Sequence, residues 1–456
     1  MKPNPLQQQL PLSGLNPLPA GRHEAAPANG RANKVDPGDR AFHDWYRFVL
    51  SFPPHLVSDY IKSFDLDKRH VVLDPFCGTG TTLVESKLHG IQGVGIEANA
   101  FAHFASSVKV DWGVDPGTFK GKAREIGDSV RKSLKAQGIS DDMALAHPPP
   151  TCSLRILDPE ATKLLLTNSI SPIPLHKALV LLDHLQKHRS ERYYSHALLA
   201  FANALVSRIS NLHFGPEVGV GKLKLDVPVV ASWLFEVDKM CADLALVRDH
   251  SFPDSKVHLG DARDVSNTLP HRSVDAVITS PPYPNEKDYT RTTRLESVIL
   301  GFIKTKSELR EMKKTFVRSN TRSVYKDDDD DKWIKEHPEI QRIAESIEKR
   351  RTELGKNSGF ERMYGKVTKL YFGGMARHFA DLRSVLRPGA QLAYVVGDQA
   401  SYLRVMIRTG KLLAEIAQRL GYELTRIDLF RTRYATATKE NLREEVIVLR
   451  WPGQER

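Results

Sequence analysis

Two short stretches of this chain carry residues whose types and spacing could do chemistry. The first is DPFCGTG, residues 74–80, directly after the apolar residues 71–73. A nucleotide-like ligand must approach the backbone where a strand ends, and Gly78 and Gly80 remove the side chains that would block it. The turn lacks the Gly-Lys-Ser/Thr of a phosphate-binding loop and the spacing of a dinucleotide fingerprint. The second stretch is TSPPY, residues 279–283, after the apolar residues 274–278. Pro281 and Pro282 fix the backbone and leave their carbonyls free without offering amide donors. Such a loop suits a planar amino group: Ser280 and the Pro281 carbonyl can accept from an exocyclic NH2, and Tyr283 can stack on the ring that carries it. Without a ligand, each stretch is simply a tight turn at a strand end.

Two acids complete the pattern. Glu97 ends the stretch IQGVGIE, where a carboxylate can accept both hydroxyls of a ribose. Asp261, in GDARD, is set to accept from the amino group of an adenine. The plainer readings are a strand-end acid and a helix N-cap. Taken together, three successive strand ends bearing a Gly turn, a Glu and an Asp describe an adenosine-shaped site.

Positioning these residues requires a sheet. HVVLDPFCGTGTTLVESKLHG predicts a strand over 71–73 and a helix from Thr81 or Thr82, and IQGVGIEANAF predicts a second strand ending on Glu97. Strand, helix, strand at this spacing is a right-handed crossover in a parallel sheet. KVHLGDARDV and VDAVITSPPY add two strands. LRPGAQLAYVVGD, a helix around 412–420, ELTRIDLF and EEVIVLRW close the sheet with an antiparallel edge hairpin. The fold class is α/β, doubly wound and mostly parallel. Its body occupies 41–114 and 251–456. Order begins near Phe42, and Leu56, Val57, Tyr60 and Ile61 follow a helical repeat. Residues 115–250, with HKALVLLDHL and YYSHALLAFANALVSRI broken by Pro148 to Pro150, form a helical insertion. Residues 1–40, rich in Pro, Gln, Gly, Ala and Asn, are expected to be a disordered tail. Residues 300–365 are charged and mostly helical. Within them the acidic run Asp327 to Asp331 looks like an affinity-tag sequence, but its mid-chain position predicts a solvated loop.

Composition narrows the partners. Only Cys77, Cys152 and Cys241 occur, which excludes a disulfide scaffold and a cysteine-rich zinc site; no metal site is expected. No apolar run approaches the roughly 20 residues that span a bilayer, and the start lacks a signal-peptide core, so a cytoplasmic protein is expected. Lys and Arg number 66 against 55 acids, a formal +11, which favours a polyanionic partner.

DPFCGTG with SPPY resembles the S-adenosylmethionine-dependent amino-methyltransferases that modify DNA bases. The resemblance covers roughly 41–112 and 255–450, with PNEKDYTRTTRLE similar to a continuation seen in one subgroup. It implies a seven-stranded Rossmann-like methyltransferase fold, S-adenosylmethionine as cofactor and double-stranded DNA as partner, with a restriction or defence component as a companion. It implies that Asp74, Phe76, Gly78 and Gly80 line the methionine side, that Glu97 takes the ribose and Asp261 the adenine. Residues 48–56 resemble the family's cofactor-flanking N-terminal motif. Ser280, Pro281, Pro282 and Tyr283 would be catalytic. SPPY is commonest among enzymes methylating cytosine N4, whereas adenine N6 enzymes usually carry Asp or Asn at its first position. The long insertion between the ribose-binding and adenine-binding strands departs from the usual arrangement, making 115–250 and 300–365 candidate regions for target recognition and DNA contact.

An aromatic amine is a poor nucleophile, and the loop would polarise it for direct transfer. A covalent intermediate would need a thiol where this chain has Ser280, and Cys77 reads as a small packing residue. Base flipping costs a few kcal/mol, which a basic surface and an aromatic platform can offset. Arg291 and Arg294 are candidates for phosphate contacts, followed by Arg318, Arg322, Lys349, Arg350 and Arg351. Alternative readings are adenine N6 methylation, methylation of an RNA base or a protein amide, and a non-catalytic DNA-binding subunit.

Overall fold

The computed structural model describes residues 37–47, 51–142, 153–215, 217–435 and 439–453. The expected tail, apart from residues 37–40, lies outside the described residues, as do Pro148 to Pro150 and Cys152.

Phe42, Trp45 and Tyr46 are buried, and the Phe42 amide and Trp45 indole N–H both donate to Asp243. Helix α1 (Pro54–Ser63) starts with proline at its first turn and buries Leu56, Val57, Tyr60 and Ile61, the stripe its spacing predicts. Strand β1 (Val71–Asp74), helix α2 (Thr81–Leu88), strand β2 (Gln92–Glu97) and helix α3 (Ala100–Lys109) form the expected crossover. The Asn99 carboxamide caps α3 by accepting from the Phe101 and Ala102 amides.

Residues 115–250 supply α4 (Pro116–Ala136), α5 (Pro159–Thr162), α6 (Pro172–Gln186), α7 (Tyr194–Ala204) and α8 (Val229–Val247). They also hold a hairpin of β3 (Leu212–Phe214) and β4 (Val218–Val220) that helical periodicity does not announce. These helices share one apolar core with Leu83, Val84 and Phe101 of the sheet body.

The chain then returns through β5 (Lys256–Leu259) and β6 (Val274–Thr279). Helices α9 (Arg294–Ile299), α10 (Lys306–Lys314), α11 (Pro338–Glu353) and α12 (Tyr364–Leu382) follow. Strand β7 (Leu386–Gly397), helix α13 (Thr409–Arg419) and strands β8 (Glu423–Ala435) and β9 (Glu440–Arg450) close the fold.

The seven-stranded sheet runs β5-β2-β1-β6-β7-β9-β8, parallel except for β9, which pairs antiparallel with both its neighbours. One face packs on α1 through Val72, Ile278, Val395 and Val446; the other packs on α11 to α13. Among the described residues no helix is long and apolar enough to cross a membrane.

The acidic run departs from expectation. Asp327 and Asp329 face solvent, but Asp330 is buried and Asp328 pairs with the buried Arg318 at 2.7 Å. Asp330 to Ile334 form a 3-10 turn pressed against α12, where a Cβ on Gly373 would lie 2.0 Å from the Asp330 carbonyl oxygen. The solvated loop is therefore half a packed element, held by arginines distant in sequence.

Candidate functional site

Strands β1, β2, β5 and β6 are mutually parallel, so their carboxyl ends emerge on one edge of the sheet. A cavity of about 760 Å³ opens there. Phe76, Gly78, Glu97, Asp261, Ser280, Pro281, Pro282 and Tyr283 all line it. Asp74 and Gly80 stand behind its wall instead. Asp74 has no exposed surface, and Gly80, at φ +83°, faces Ser106 so closely that a Cβ would sit 3.0 Å from the serine Cβ. Of residues 48–56, Ser51 and Phe52 reach the cavity, while 48–50 lie outside the described residues.

The two motifs touch beneath the cavity. Asp74 Oδ1 accepts from the Thr279 hydroxyl at 2.5 Å and from the Phe76 amide at 3.1 Å. A second threonine, Thr82, donates to the Ile278 carbonyl at 3.0 Å. Asp74 Oδ2 is buried without a hydrogen-bond partner. Burial pushes the Asp74 carboxyl up to about 6, with the Thr279 hydrogen bond pulling the other way. Glu97 accepts from the Gly78 amide at 2.8 Å and the Asn99 amide at 2.7 Å, and burial pushes it up to about 7 against those bonds.

The Glu97 carboxylate in the cavity wall can accept from a ligand's hydroxyl groups, and the lone Asp74 oxygen behind the wall is an acceptor that the protein leaves unpaired. A Cβ on Gly78 would meet nothing within 4 Å, leaving room beside Glu97. The residues present thus fit an adenosyl amino-acid cofactor. The Cys77 thiol is buried and pushed well up by burial, as expected of a packing residue.

Asp261 faces the cavity while its carboxylate accepts from the Arg263 amide at 2.9 Å and from the Arg263 guanidinium at 2.6 to 3.1 Å. His378, buried and lowered to about 4 by desolvation, links the Ala262 carbonyl to the Tyr394 hydroxyl at 2.6 Å each and meets Phe76 edge-on. On the loop side, Ser280 Oγ donates to the Val395 carbonyl at 3.1 Å, which leaves its lone pairs as acceptors. The Tyr283 amide donates to the Tyr289 hydroxyl at 3.2 Å. Burial pushes Tyr289 up to about 12 and Tyr283 upward as well, so both phenols stay neutral.

Several lining residues had no motif to mark them. Phe430, Arg431, Arg433, Tyr434 and Glu444 come from the β8–β9 hairpin, and Phe316 follows α10. Glu217, in the turn of the β3–β4 hairpin, brings the insertion to the cavity and lies 3.5 Å from Arg291. Arg294 is turned inward, donating to the Thr290 carbonyl and hydroxyl. Arg318 is buried on Asp328 and its own neighbouring carbonyls, so it is not available to a phosphate. Among the described residues no group of His, Cys, Asp and Glu could hold a metal ion.

Residues 28–106 match the family model described as DNA methylase, of the N6/N4 methyltransferase type. The chain is 26% identical over 440 residues to the Type II methyltransferase M.BsoBI of Geobacillus stearothermophilus, covering 90% of this chain and 83% of the relative. It is 25% identical over 467 residues to the Type II methyltransferase M.AvaI of Nostoc sp. (strain PCC 7120), covering 92% and 88%. Among solved structures, TrmN from Thermus thermophilus aligns at 11% identity and TM-score 0.32 over 92% of this chain and 54% of that one, a likeness too slight to bear on function. The chain is thus similar to a DNA methylase model over its first crossover and to Type II methyltransferases along most of its length.

Proposed function

We propose that the protein is an S-adenosylmethionine-dependent DNA methyltransferase acting on the exocyclic amino group of a base flipped from double-stranded DNA, with cytosine N4 as the target. The observation that carries this reading is the meeting of the 74–80 turn and the 280–283 loop on one cavity, joined by the Thr279 hydroxyl on Asp74. When bound, the cofactor supplies an electrophilic sulfonium methyl group. Phe76 and Gly78 line its methionine side, with Asp74 and Gly80 shaping the turn from behind the wall, while Glu97 accepts from the ribose hydroxyls and Asp261 accepts from the adenine amine.

The other residues prepare the nucleophile. Ser280 directs its proton at the Val395 carbonyl and offers its lone pairs to one amine N–H; the Pro281 carbonyl accepts the second. Two fixed acceptors favour a pyramidal nitrogen whose lone pair leaves conjugation with the ring. Pro282 stiffens the loop, and Tyr283 stacks on the base. Ser280 is shorter than an Asp or Asn and has one oxygen, so the amine must sit close. A single-ring cytosine can enter that far, while a purine meets Tyr283 earlier; adenine N6 is the alternative.

Residues 115–250 and 300–365 are the proposed regions of target recognition and DNA contact, with Arg291 retained as a phosphate candidate at the Glu217 turn. The relatives' designation as Type II methyltransferases is in keeping with a restriction or defence-system component as companion, and the proposed site of action is the cytoplasm. The test is nucleoside mass spectrometry of duplex DNA treated with pure protein and labelled S-adenosylmethionine. Label on N4-methyldeoxycytidine is expected. Label on deoxyadenosine alone overturns the base, and label on RNA or protein but not DNA overturns the substrate.

A further inference from the structure

The acidic run is linked through one arginine to Asp261 in the cavity wall. Arg263 follows the Asp261 turn and is buried. One edge of its guanidinium, Nε and Nη2, grips the Asp261 carboxylate at 2.6 to 3.1 Å. Its remaining nitrogen, Nη1, donates to Asp330 Oδ2 at 2.5 Å, and Nη2 also donates to the Lys314 carbonyl at 2.9 Å. Asp330 is itself fixed: its backbone is pressed on Gly373, Gly374 stands beside its carboxylate, and Arg377 lies 3.5 Å from its Oδ1. The side chains of Asp261, Arg263 and Asp330 are 14%, 7% and 6% exposed, so the guanidinium and the two carboxylates are paired away from water.

We propose that Asp330 is a positioning residue for recognition of the cofactor's adenine, acting through Arg263 on Asp261. The inference rests on the reading of Asp261 as the acceptor for the adenine amine. A guanidinium held by one carboxylate can swing with it. Held at both edges, it locks the plane of the Asp261 carboxylate at the end of β5 and keeps an acceptor aimed into the cavity. A 6-oxo purine would bring a second acceptor against that carboxylate and leave neither satisfied, so the lock favours adenine over hypoxanthine. This assigns a use to a run that otherwise reads as solvated charge.

The experiment measures, by calorimetry on the full chain, the affinities for S-adenosylhomocysteine and its 6-oxo analogue S-inosylhomocysteine. The wild-type protein is expected to prefer the adenosyl form by about tenfold or more. Asp330→Asn is expected to cut that preference at least about threefold, Asp327→Asn to leave it unchanged, and Asp330→Asn to add nothing in an Asp261→Ala background. A purely structural role would weaken both ligands alike and leave the ratio intact, which overturns the proposal. Melting curves report folding. Should Asp330→Asn not fold, Arg263→Lys gives the same readout, because it keeps the charge but cannot grip both acids. If Asp261→Ala itself keeps the wild-type ratio, the reading of Asp261 fails and the proposal with it. If Asp261→Ala loses the ratio while Asp330→Asn and Arg263→Lys keep it, the proposal alone fails.

Discussion

The cavity has two unlike walls. One is made where β1, β2, β5 and β6 end: short turns, carboxyls raised by burial, and hydroxyls fixed to carbonyls. The other is made by the β8–β9 hairpin, the segment after α10 and the Glu217 turn, and it carries exposed charge at Arg433 and an exposed ring at Tyr434. Atoms of the first wall have little freedom, since each sits within a few residues of a strand hydrogen-bonded into the parallel sheet. The second wall is joined from segments far apart in the chain and faces solvent. In the proposed reaction the rigid wall does chemistry and holds cofactor, and the open wall meets a substrate that varies in sequence.

The sharpest way to break that contrast is to overfill the rigid wall. Gly80→Trp must take a positive φ and a Cβ already 3.0 Å from Ser106, so cofactor binding should fall below detection by calorimetry. Next comes Ser280→Ala, which removes one acceptor from the amine. It should lower kcat about tenfold to a hundredfold while cofactor Kd changes less than about twofold. Equal loss of cofactor by both variants would dissolve the division between the turn and the loop.

A third test uses the raised acids. Asp74 at about 6 and Glu97 at about 7 stand above their unfolded values of 3.8 and 4.5. The folded chain therefore holds protons that the unfolded chain releases. Their stabilisation is complete below the unfolded values and is lost as pH rises through about 6 to 7. Cofactor affinity should run the opposite way, because the ionised Glu97 carboxylate in the cavity wall is the better acceptor. It should weaken about tenfold per unit below the Glu97 midpoint. His378, lowered to about 4, titrates in the opposite sense for stability. The comparison is thus wild type against Glu97→Gln: the wild-type melting temperature should fall relative to the variant between pH 5.5 and 8, and the variant's affinity should be flatter with pH. Parallel curves would remove Glu97 from the site.

The same contrast explains what could be read from the sequence. Residues 71–80 state their structure locally: an apolar strand, an acid, then glycines in a turn, and the wall they build needs only the parallel order of four strands. The β8–β9 wall depends on register, which pairs Arg433 with Leu442 and Arg431 with Glu444, and nothing in the spacing of ELTRIDLF reveals which residues turn toward a ligand. The β3–β4 strands are three residues each, too short for a period to show. Asp330 misleads because its partner Arg263 lies 67 residues away, so a run of five acids looks solvated until the fold brings its arginines.

The smallest expected effect belongs to the open wall and asks whether DNA passes over it. Arg433 is exposed, lines the cavity and lies close enough to Lys287 that, after burial, its charge is the next cause lowering that ammonium's pKa. Two cations crowded at a mouth repel each other and suit a bound phosphate, whose counterions are released when they pair with it. Arg433→Ala should therefore weaken duplex binding only a few-fold at moderate salt. The slope of log K against log salt should shrink by about 1, with cofactor Kd unchanged. Arg291→Ala is the companion measurement, since its partner Glu217 belongs to the insertion. If Arg291→Ala reduces the slope and Arg433→Ala does not, the duplex runs along the insertion and away from the β8–β9 hairpin. If both reduce it, the two hairpins flank the DNA as a pair of jaws.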